Sequence, residues 1–277
     1  MTENKRPLIL LTNDDGIGSP GIQAAAEVLC DLGELIIVAP REQSSATGRS
    51  HPLTSDGKIE KIAYEIEGCP VRAYAVGGTP AQCVVRALVQ VLDRKPDLVV
   101  SGINYGENFG VGITISGTIG AALEAASYGI PALASSLQLL NMADFETFNP
   151  EIDFRTAAVF TRQFAQVLLN HTQPEIVDVL KLEVPANATP ETPWRMTRLA
   201  RHNYYEPFTN VDADWNQPER LSYRIGVKQE EICPDSDIHT VIYDQHVSVT
   251  PLTIDLTAPV DLKELENTIR KNGYKRK

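Results

Sequence analysis

The feature that most constrains the fold of this chain is a recurring order of apolar run, polar loop and helical spacing. Apolar runs of strand length occupy residues 8–12, 35–39, 73–76, 98–101 and 132–135. In four of these five cases a polar loop follows, and then residues with the spacing of an amphipathic helix. Repeated units of this kind are typical of a parallel sheet with helices on both faces. We therefore predict an α/β fold with a doubly wound, mainly parallel, Rossmann-like sheet.

The charge and the cysteine content exclude several classes of protein. The 277 residues carry a net charge of −11, which argues against binding to nucleic-acid polymers or to anionic membranes. No window is apolar over the length of a transmembrane helix, and the first apolar run is too short for a secretory signal. The cysteines are scattered, so neither a zinc site nor a disulfide framework is expected from Cys30, Cys69, Cys83 and Cys233. We expect a reduced, cytoplasmic protein.

The amino-acid composition of the sequence changes after residue 185. Prolines and aromatic residues become frequent, and alternating stretches at residues 241–243 and 247–249 predict antiparallel strands. We predict a single domain over residues 1–277 with a β-rich extension at residues 186–250. An aromatic-rich extension with little core of its own is typical of a subunit contact. Loops that fold back on the main domain are the alternative.

Two adjacent acids, Asp14 and Asp15, end the first apolar run. Two carboxylates at the end of a core strand are costly unless something positive binds them. A helix cap explains one such acid, but not both. Asn104 follows the strand at 98–101 in the same way, although a turn asparagine is its alternative interpretation. Carboxylate, amide and hydroxyl oxygens are the ligands that Mg²⁺, Mn²⁺ and Ca²⁺ prefer, so we predict a divalent metal here.

Three polar segments follow other strands of the predicted sheet. The segments at residues 77–79 and 116–118 each combine glycine with hydroxyl residues at a predicted helix start. They are either capping motifs or anion sites built from free backbone amides. The loop at residues 44–50 is rich in hydroxyls and is a surface loop in its simplest interpretation. Ligands of parallel sheets bind beyond the carboxyl ends of the strands, where all these segments meet. Together they predict hydrolysis of a phosphate monoester by a metal-activated water.

A set of motifs in this order resembles the SurE family of stationary-phase survival proteins. The matching segments are Leu-Thr-Asn-Asp-Asp-Gly at 11–16, Val-Ala-Pro at 38–40, Ser-Ala-Thr-Gly at 45–48, Gly-Thr-Pro at 78–80, Ser-Gly-Ile-Asn at 101–104 and Ser-Gly-Thr at 116–118. The family consists of metal-dependent 5′/3′-nucleotidases that also attack polyphosphate, with a doubly wound sheet and an extension that assembles dimers or tetramers. The resemblance thus implies a 5′-nucleotidase that forms homodimers or homotetramers.

The resemblance also implies the composition of the site. One divalent metal per subunit, Mg²⁺ or Mn²⁺ with Ca²⁺ as a substitute in crystals, would be held by Asp14, Asp15, Ser45 and Asn104. Asp14 and Asp15 would also act in catalysis on the metal's water. Contacts to the phosphate or substrate are predicted for Asn13, Gly78, Thr79, Asn108, Ser116, Gly117 and Thr118.

The chain departs from the family pattern at three positions near these motifs. Many members carry an acid at Gln82, an aspartate at Gly112 and an aromatic residue or histidine at Ile115. The predicted metal ligands are unaffected, whereas the preferred base is left open. Arg198 and Arg201 in the extension are either charge partners of the phosphate or solvated surface residues.

The sequence therefore predicts a metal-dependent phosphomonoesterase that hydrolyses nucleoside 5′-monophosphates, with 3′-monophosphates as a further substrate class. The alternatives are a broad-range acid phosphatase or exopolyphosphatase, and a nucleotide-binding regulatory protein that does not hydrolyse its ligand.

Overall fold

The computed structural model describes residues 6–141, 148–209, 216–217 and 221–273. The strands are β1 (Leu8–Thr12), β2 (Glu34–Pro40), β3 (Ile59–Ile62), β4 (Arg72–Val76), β5 (Leu98–Tyr105), β6 (Ala132–Leu137), β7 (Val179–Val184), β8 (Trp194–Met196), β9 (Tyr205–Phe208), β10 (Ser222–Ile225) and β11 (Val247–Leu252). The α-helices are α1 (Pro20–Leu29), α2 (Pro80–Arg86), α3 (Gly117–Ser127), α4 (Arg155–Asn170), α5 (Asp237–Ile242) and α6 (Leu262–Gly273).

The central sheet confirms the predicted fold class. Among the described residues its strand order is β3-β4-β2-β1-β5-β6-β7-β11-β8. The pairings from β4 through to β7 are all parallel, and β3 and β11 pair antiparallel with their neighbours β4 and β7. From β1 the chain first adds strands on one side of the sheet, beginning with β2, and later adds strands on the other side, beginning with β5. The strand order therefore reverses at β1. In such sheets the point of reversal forms the ligand crevice.

Helices cover both faces of the sheet. On one face, Ile22 and Leu29 of α1 pack with Phe160 and Phe164 of α4 in a single apolar cluster. On the other face, α2 and α3 contribute Val84, Cys83, Ile119 and Ala122 to a second cluster. Because the central strands are buried on both sides, their sequences are continuous apolar runs rather than alternating ones.

The segment after residue 185 contains both a confirmed and a wrong prediction. Residues 247–252 form β11, which pairs antiparallel with β7 as expected. The alternation at residues 241–243 predicts a strand, but residues 241–242 end the helix α5 and Tyr243 is its C-cap. The helix forms because the Ser236 side chain caps it, accepting from the His239 amide, while Ile238 and Val241 are buried. Within this extension, residues 210–215 and 218–220 lie outside the described residues.

The expectation of unpaired cysteines is wrong for two of the four. Cys30, directly after α1, forms a disulfide with Cys69, and their Cα atoms are 6.2 Å apart. The two residues are 39 positions apart, and nothing in their spacing signals the pairing; the fold brings them together. Cys83 is buried and free, and Cys233 is exposed and free. No helix within the described ranges is long and apolar enough to cross a membrane.

Candidate active site

Asp14 and Asp15 lie at the carboxyl end of the central strand β1, in the crevice where the chain order reverses. Both side chains are buried, with 4% of each residue exposed. They are buried because α3 and the end of β5 close over them. Tyr105 at the end of β5 donates its backbone N–H to Asp15 Oδ2 over 2.9 Å. The sheet therefore holds two carboxylates side by side away from solvent.

The Thr118 hydroxyl joins Asp14 to Asn104. It lies 2.5 Å from Asp14 Oδ1 and 3.0 Å from Asn104 Oδ1. Asn104 is held by its own amide, which donates to the Gly106 carbonyl over 2.6 Å, so its oxygen points towards Thr118. A hydroxyl has one proton and can donate to only one of the two oxygens. Acceptor oxygens therefore outnumber protons at this point, which favours binding of a cation.

Electrostatics favour the same conclusion. Burial raises the pKa of Asp14, and the Thr118 hydroxyl and the amides at the start of α3 offset only part of this effect. Burial also raises the pKa of Asp15 well above its usual range, and the neighbouring charge of Asp14 raises it further. No cationic side chain of the described residues contributes to either shift. Two buried carboxylates that have no lysine or arginine partner are suited to binding a metal cation from solution.

Asn13 adds a further unused acceptor. Its amide nitrogen donates to Gly16 O over 3.0 Å and to Ser19 Oγ over 2.8 Å. Its Oδ1 is buried and has no hydrogen-bond partner among the described residues. The described residues form no group of three His, Cys, Asp or Glu side chains that could hold a metal. A metal on Asp14 and Asp15 would therefore need neutral oxygens and water, a shell that suits Mg²⁺ or Mn²⁺.

The loop that carries Ser45 is attached directly to the acid pair. The Ser44 backbone N–H donates to Asp14 O over 2.7 Å, and the Thr47 hydroxyl donates to Ser44 O over 2.8 Å. A Cβ atom added at Gly117 would lie 2.7 Å from Asp14 Cβ and 3.1 Å from Thr47 Oγ1. Glycine at 117 thus permits the close approach of the helix, the acid and the loop. The side chain of Ser45 itself is exposed.

The hydroxyls of the two glycine-containing helix starts act as caps. Thr79 Oγ1 accepts from the Gln82 amide over 3.2 Å and donates to Ser50 O over 2.7 Å, so its proton is already used. Ser116 Oγ accepts from the Ile119 amide over 3.2 Å. The capping alternative for both segments is therefore realised. Their backbone amides are engaged as well: the N–H of Gly78 donates to Val76 O over 3.0 Å and that of Thr79 donates to Gln82 Oε1 over 3.0 Å.

A cavity of about 290 Å³ joins the loop after β2 to the start of α2. Its walls include Arg41, Ser44, Ser55, Gly78 and Thr79. A larger cavity of about 420 Å³ lies at the opposite end of the sheet, where β6 and β7 begin. The smaller cavity is the relevant one, because it contains predicted substrate residues and Ser44, which contacts Asp14.

Gln82 shows how one departure from the family pattern is accommodated. Its Oε1 accepts from Ser55 Oγ over 2.7 Å and from the Thr79 amide over 3.0 Å. Its amide nitrogen donates to Pro52 O over 3.0 Å, which a glutamate cannot do. Gln82 thus ties residues 52–55 to the start of α2. At Gly112 an added Cβ would contact nothing within 4 Å, and Ile115 is 60% exposed.

Asn108 lies in the loop between β5 and the 3₁₀ turn Gly110–Ile115. Its side-chain amide donates to Ser136 Oγ over 3.1 Å, and its backbone N–H donates to Glu183 Oε2 over 3.1 Å. Sequence reasoning missed Glu183 and its neighbours Lys181, Asp237 and Glu107. The signal for two of them was a pair of opposite charges at alternate positions of the apolar run in β7, which places both on one face of the strand.

Arg198 and Arg201 of the extension do not contribute to the site around Asp14 and Asp15. Arg198 forms an exposed ion pair with Asp235, with 2.7 Å between Nε and Oδ2. Arg201 is also exposed. The structure therefore favours the solvated interpretation for Arg198.

Comparisons with known proteins give matches over most of the chain. A family model described as survival protein SurE matches residues 9–206. The chain is 44% identical over 268 residues to a protein named 5′-nucleotidase SurE from Methanocella arvoryzae, covering 95% of this chain and 98% of that protein. It is 40% identical to the protein of the same name from Thermococcus kodakarensis, covering 94% and 98%.

A solved structure is similar over the same extent. The crystal structure of the SurE protein from Aquifex aeolicus has a TM-score of 0.72 and 30% sequence identity, covering 96% of this chain and all of that one. The match of the family model, the identity of the relatives and the likeness of the fold all span most of the chain. The chain therefore belongs to the SurE family.

Proposed function

We propose that this chain is a metal-dependent phosphomonoesterase that releases phosphate from nucleoside 5′-monophosphates. The proposal rests on one observation: Asp14 Oδ1 and Asn104 Oδ1 both approach the single hydroxyl proton of Thr118, so one of the two oxygens lacks a donor. A second buried carboxylate, Asp15, lies beside them. Relatives named 5′-nucleotidase SurE, 40–44% identical over nearly the whole chain, support it.

Each residue has a role in this proposal. Asp14, Asp15, Asn104 and Ser45 would hold one Mg²⁺ or Mn²⁺ ion. Such an ion neutralises charge on the phosphate and lowers the pKa of a bound water. Asp15 Oδ2 is fixed by the Tyr105 amide, so its other oxygen is available to orient a water molecule. The phosphate would lie near the N-terminal end of α3, where the helix dipole favours an anion.

The decisive experiment measures phosphate release from nucleoside monophosphates with Mg²⁺, with Mn²⁺ and with a chelator. We expect activity with metal, none with the chelator, and a loss of at least about 10³-fold in Asp14→Asn, since a ligand of the metal is removed. Asp153→Asn is the matched control, because Asp153 is exposed and pairs with Arg155 outside the site. Metal-dependent nucleotide binding without any phosphate release would instead identify a regulatory protein.

The finer substrate range is part of the proposal. We include 3′-monophosphates as substrates, since the metal that Asp14 and Asp15 would hold acts on the phosphate and a water molecule rather than on the sugar. A panel of 5′- and 3′-monophosphates, polyphosphate and an aryl phosphate tests this. Faster cleavage of the aryl phosphate than of every nucleotide would overturn the nucleotidase assignment in favour of a broad-range phosphatase.

We also propose that the extension assembles homodimers or homotetramers. Its two-stranded ribbon of β9 and β10 exposes Phe208 by 46%, Tyr223 by 50% and Ile225 by 54%. Such aromatic and branched side chains are enriched at subunit contacts. Light scattering of Phe208→Ser with Tyr223→Ser should show a smaller assembly than the unaltered protein. Leu53→Ser, exposed outside the extension, should leave the assembly unchanged.

We further propose a cytoplasmic location, in which Cys30 and Cys69 would be kept as adjacent thiols until they are oxidised to the disulfide. The Cys30–Cys69 disulfide makes this location testable. Fractionation combined with thiol labelling in cells should place the protein in the cytoplasm. Recovery from an oxidising compartment would overturn the proposal.

A further inference from the structure

A cluster of four buried charged residues lies outside the acid pair and next to the Asn108 loop. Lys181 and Glu183 of β7 and Asp237 of α5 are fully buried, and Glu107 is 6% exposed. Lys181 Nζ lies 3.1 Å from Glu183 Oε1 and 3.1 Å from Asp237 Oδ2. The cluster thus has three carboxylates and one lysine, and it joins β7 to the extension.

Two of these carboxylates bind backbone N–H groups of the loop at residues 107–110, and the third, Glu107, binds the chain around it. Glu183 Oε2 accepts the N–H of Asn108 over 3.1 Å, and Asp237 Oδ2 accepts the N–H of Gly110 over 2.9 Å. Glu107 accepts from the Leu139 amide over 3.0 Å and from the Tyr205 hydroxyl. Two backbone N–H groups of this short loop are therefore held by buried carboxylates, and Glu107 attaches the loop to Leu139 and Tyr205 through its own side chain.

The extension supplies part of these anchors. Asp237 Oδ1 accepts from the Ala200 amide over 2.9 Å, so one side chain fixes both the loop and the extension. A Cβ atom added at Gly110 would lie 2.6 Å from His202 O, so the two backbones are in direct contact. The position of the loop is consequently set by residues that are distant in sequence.

The loop connects two parts of the proposed site. Asn104 precedes it at the end of β5, and the turn Gly110–Ile115 leads from it to Ser116 and α3. Buried charges are costly, and apolar residues of similar volume often stabilise a fold equally well. Here two of the buried carboxylates accept hydrogen bonds from specific backbone N–H groups of the loop. Burial raises the pKa of Glu183 to about 7 despite the neighbouring Lys181, which shows how strongly the cluster is desolvated.

We propose that Lys181, Glu183 and Asp237 are positioning residues that hold Asn108 in place for substrate. This inference rests on the proposed function and on the prediction from the sequence that Asn108 contacts the substrate. Lys181 holds Glu183 in the orientation in which its second oxygen accepts from Asn108. None of the three contacts the acid pair, so they act on binding of the nucleotide and not on binding of the metal.

The test compares Glu183→Gln with a double variant, Lys181→Met with Glu183→Gln, at pH 8. In the single variant the new amide must direct its NH₂ group at Lys181 or at the Asn108 N–H, and both are donors. We expect KM for a nucleoside monophosphate to rise by about tenfold with the Mn²⁺ Kd unchanged. The double variant removes the lysine and frees the glutamine oxygen to accept from Asn108. We expect it to restore KM to within about threefold while lowering thermal stability further.

Thr250→Val is the matched control. Thr250 is buried and shares a hydrogen bond of 2.7 Å with Thr197, but it has no bond to the loop. It should lower stability without changing KM. An equal rise of KM in Thr250→Val, an unchanged KM in Glu183→Gln, or no rescue in the double variant would each overturn the proposal.

Two further measurements keep the inference separate from the proposed activity. Hydrogen exchange of the Asn108 and Gly110 amides should become faster in Glu183→Gln and recover at Asn108 in the double variant. This readout needs no turnover, so an inactive protein would refute the proposed function and still decide the role of the cluster. If Glu183→Gln does not fold, Asp237→Asn tests the other anchor, because its new NH₂ group must face the N–H of Gly110 or that of Ala200, and all of these are donors. Asp237→Asn should raise KM in the same direction, and an unchanged KM would then overturn the proposal.

Discussion

Two regions of this protein bury carboxylates, and they differ in where the compensating positive charge comes from. At the carboxyl end of β1, Asp14 and Asp15 are buried together and no lysine or arginine of the described residues pairs with them. At the end of β7, Glu183 and Asp237 are buried around Lys181, which contacts both. The first region needs a cation from outside, whereas the second is neutralised in large part by the chain itself.

The hydrogen bonds of the two regions differ in the same sense. Asp237 accepts from the amides of Gly110, Ala200 and Ile238, so its oxygens are fully used. Around Asp14, one hydroxyl proton serves two oxygens, and Asn13 Oδ1 has no partner among the described residues. Unused acceptors indicate a ligand site, and fully used acceptors indicate a structural anchor. The comparison thus separates a region that binds from a region that positions.

Removing Lys181 should give the largest effect on stability. Lys181→Met leaves Glu183 and Asp237 buried without a cation, which should lower the free energy of unfolding by about 3–5 kcal/mol. Urea denaturation with a chelator present measures this change. A loss below about 1 kcal/mol would mean that Lys181 does not neutralise the cluster, and the comparison would fail.

Removing one acid at the end of β1 should raise stability, whereas removing Lys181 lowers it. Asp14→Asn relieves the repulsion between two buried carboxylates, so the metal-free protein should gain about 1 kcal/mol of stability. Thermal unfolding with a chelator tests this gain. Added Mn²⁺ should raise Tm of the unaltered protein and leave that of the variant unchanged. If metal-free Asp14→Asn were less stable than the unaltered protein, the two acids would have a compensating positive charge within the protein, and the comparison would fail.

The pH dependence of stability should reveal Glu183. Its pKa is about 7 in the folded state, above its ordinary value of 4.5, because it is buried, and it faces Lys181, Asp237 and Tyr205. Between these values the folded state binds more protons than the unfolded state. Stability from this group is therefore complete below pH 4.5 and is lost as pH rises towards 7, by at most about 1.4 kcal/mol per pH unit.

Denaturation of the unaltered protein and of Glu183→Gln at pH 5, 6, 7 and 8, both metal-free, isolates this effect. The stability difference between the two should decline up to about pH 7 and level off above it. A difference that does not change with pH would show that Glu183 is ionised throughout, as a simple ion pair with Lys181.

The smallest effects are expected at the two exposed positions where the family pattern is broken. Gly112→Asp and Ile115→His have room on the surface and should change stability by less than about 0.5 kcal/mol. The Mn²⁺ Kd should also stay the same, because the acid pair is untouched. Relative kcat/KM values across the four bases measure their influence on the nucleotide. A changed Mn²⁺ Kd would extend the binding region to this turn.

Much of the fold follows from local patterns in the sequence. Apolar runs of strand length and helical spacing set the parallel sheet, since a strand buried on both faces must be apolar throughout. The polar residues that end the first and fifth strands, Asp14, Asp15 and Asn104, stand out for the same reason: each interrupts an apolar run at its carboxyl end. The metal ligands themselves remain predictions.

The errors came from interactions between distant segments. Residues 241–242 alternate like a strand, but the Ser236 cap and burial against the extension make them helical. The pairing of Cys30 with Cys69 has no signature in spacing, because it follows from how the turn before β4 packs against the end of α1.

The sequence by itself determined the class of fold and the two acids at its centre, because periodicity and strand ends are local properties. Only the tertiary structure decided that the Thr118 hydroxyl serves both Asp14 and Asn104, and that Asp237 holds Gly110 from 127 residues away. Hydrogen bonds across such separations depend on how strands and helices are placed in space. No pattern of neighbouring residues encodes that placement.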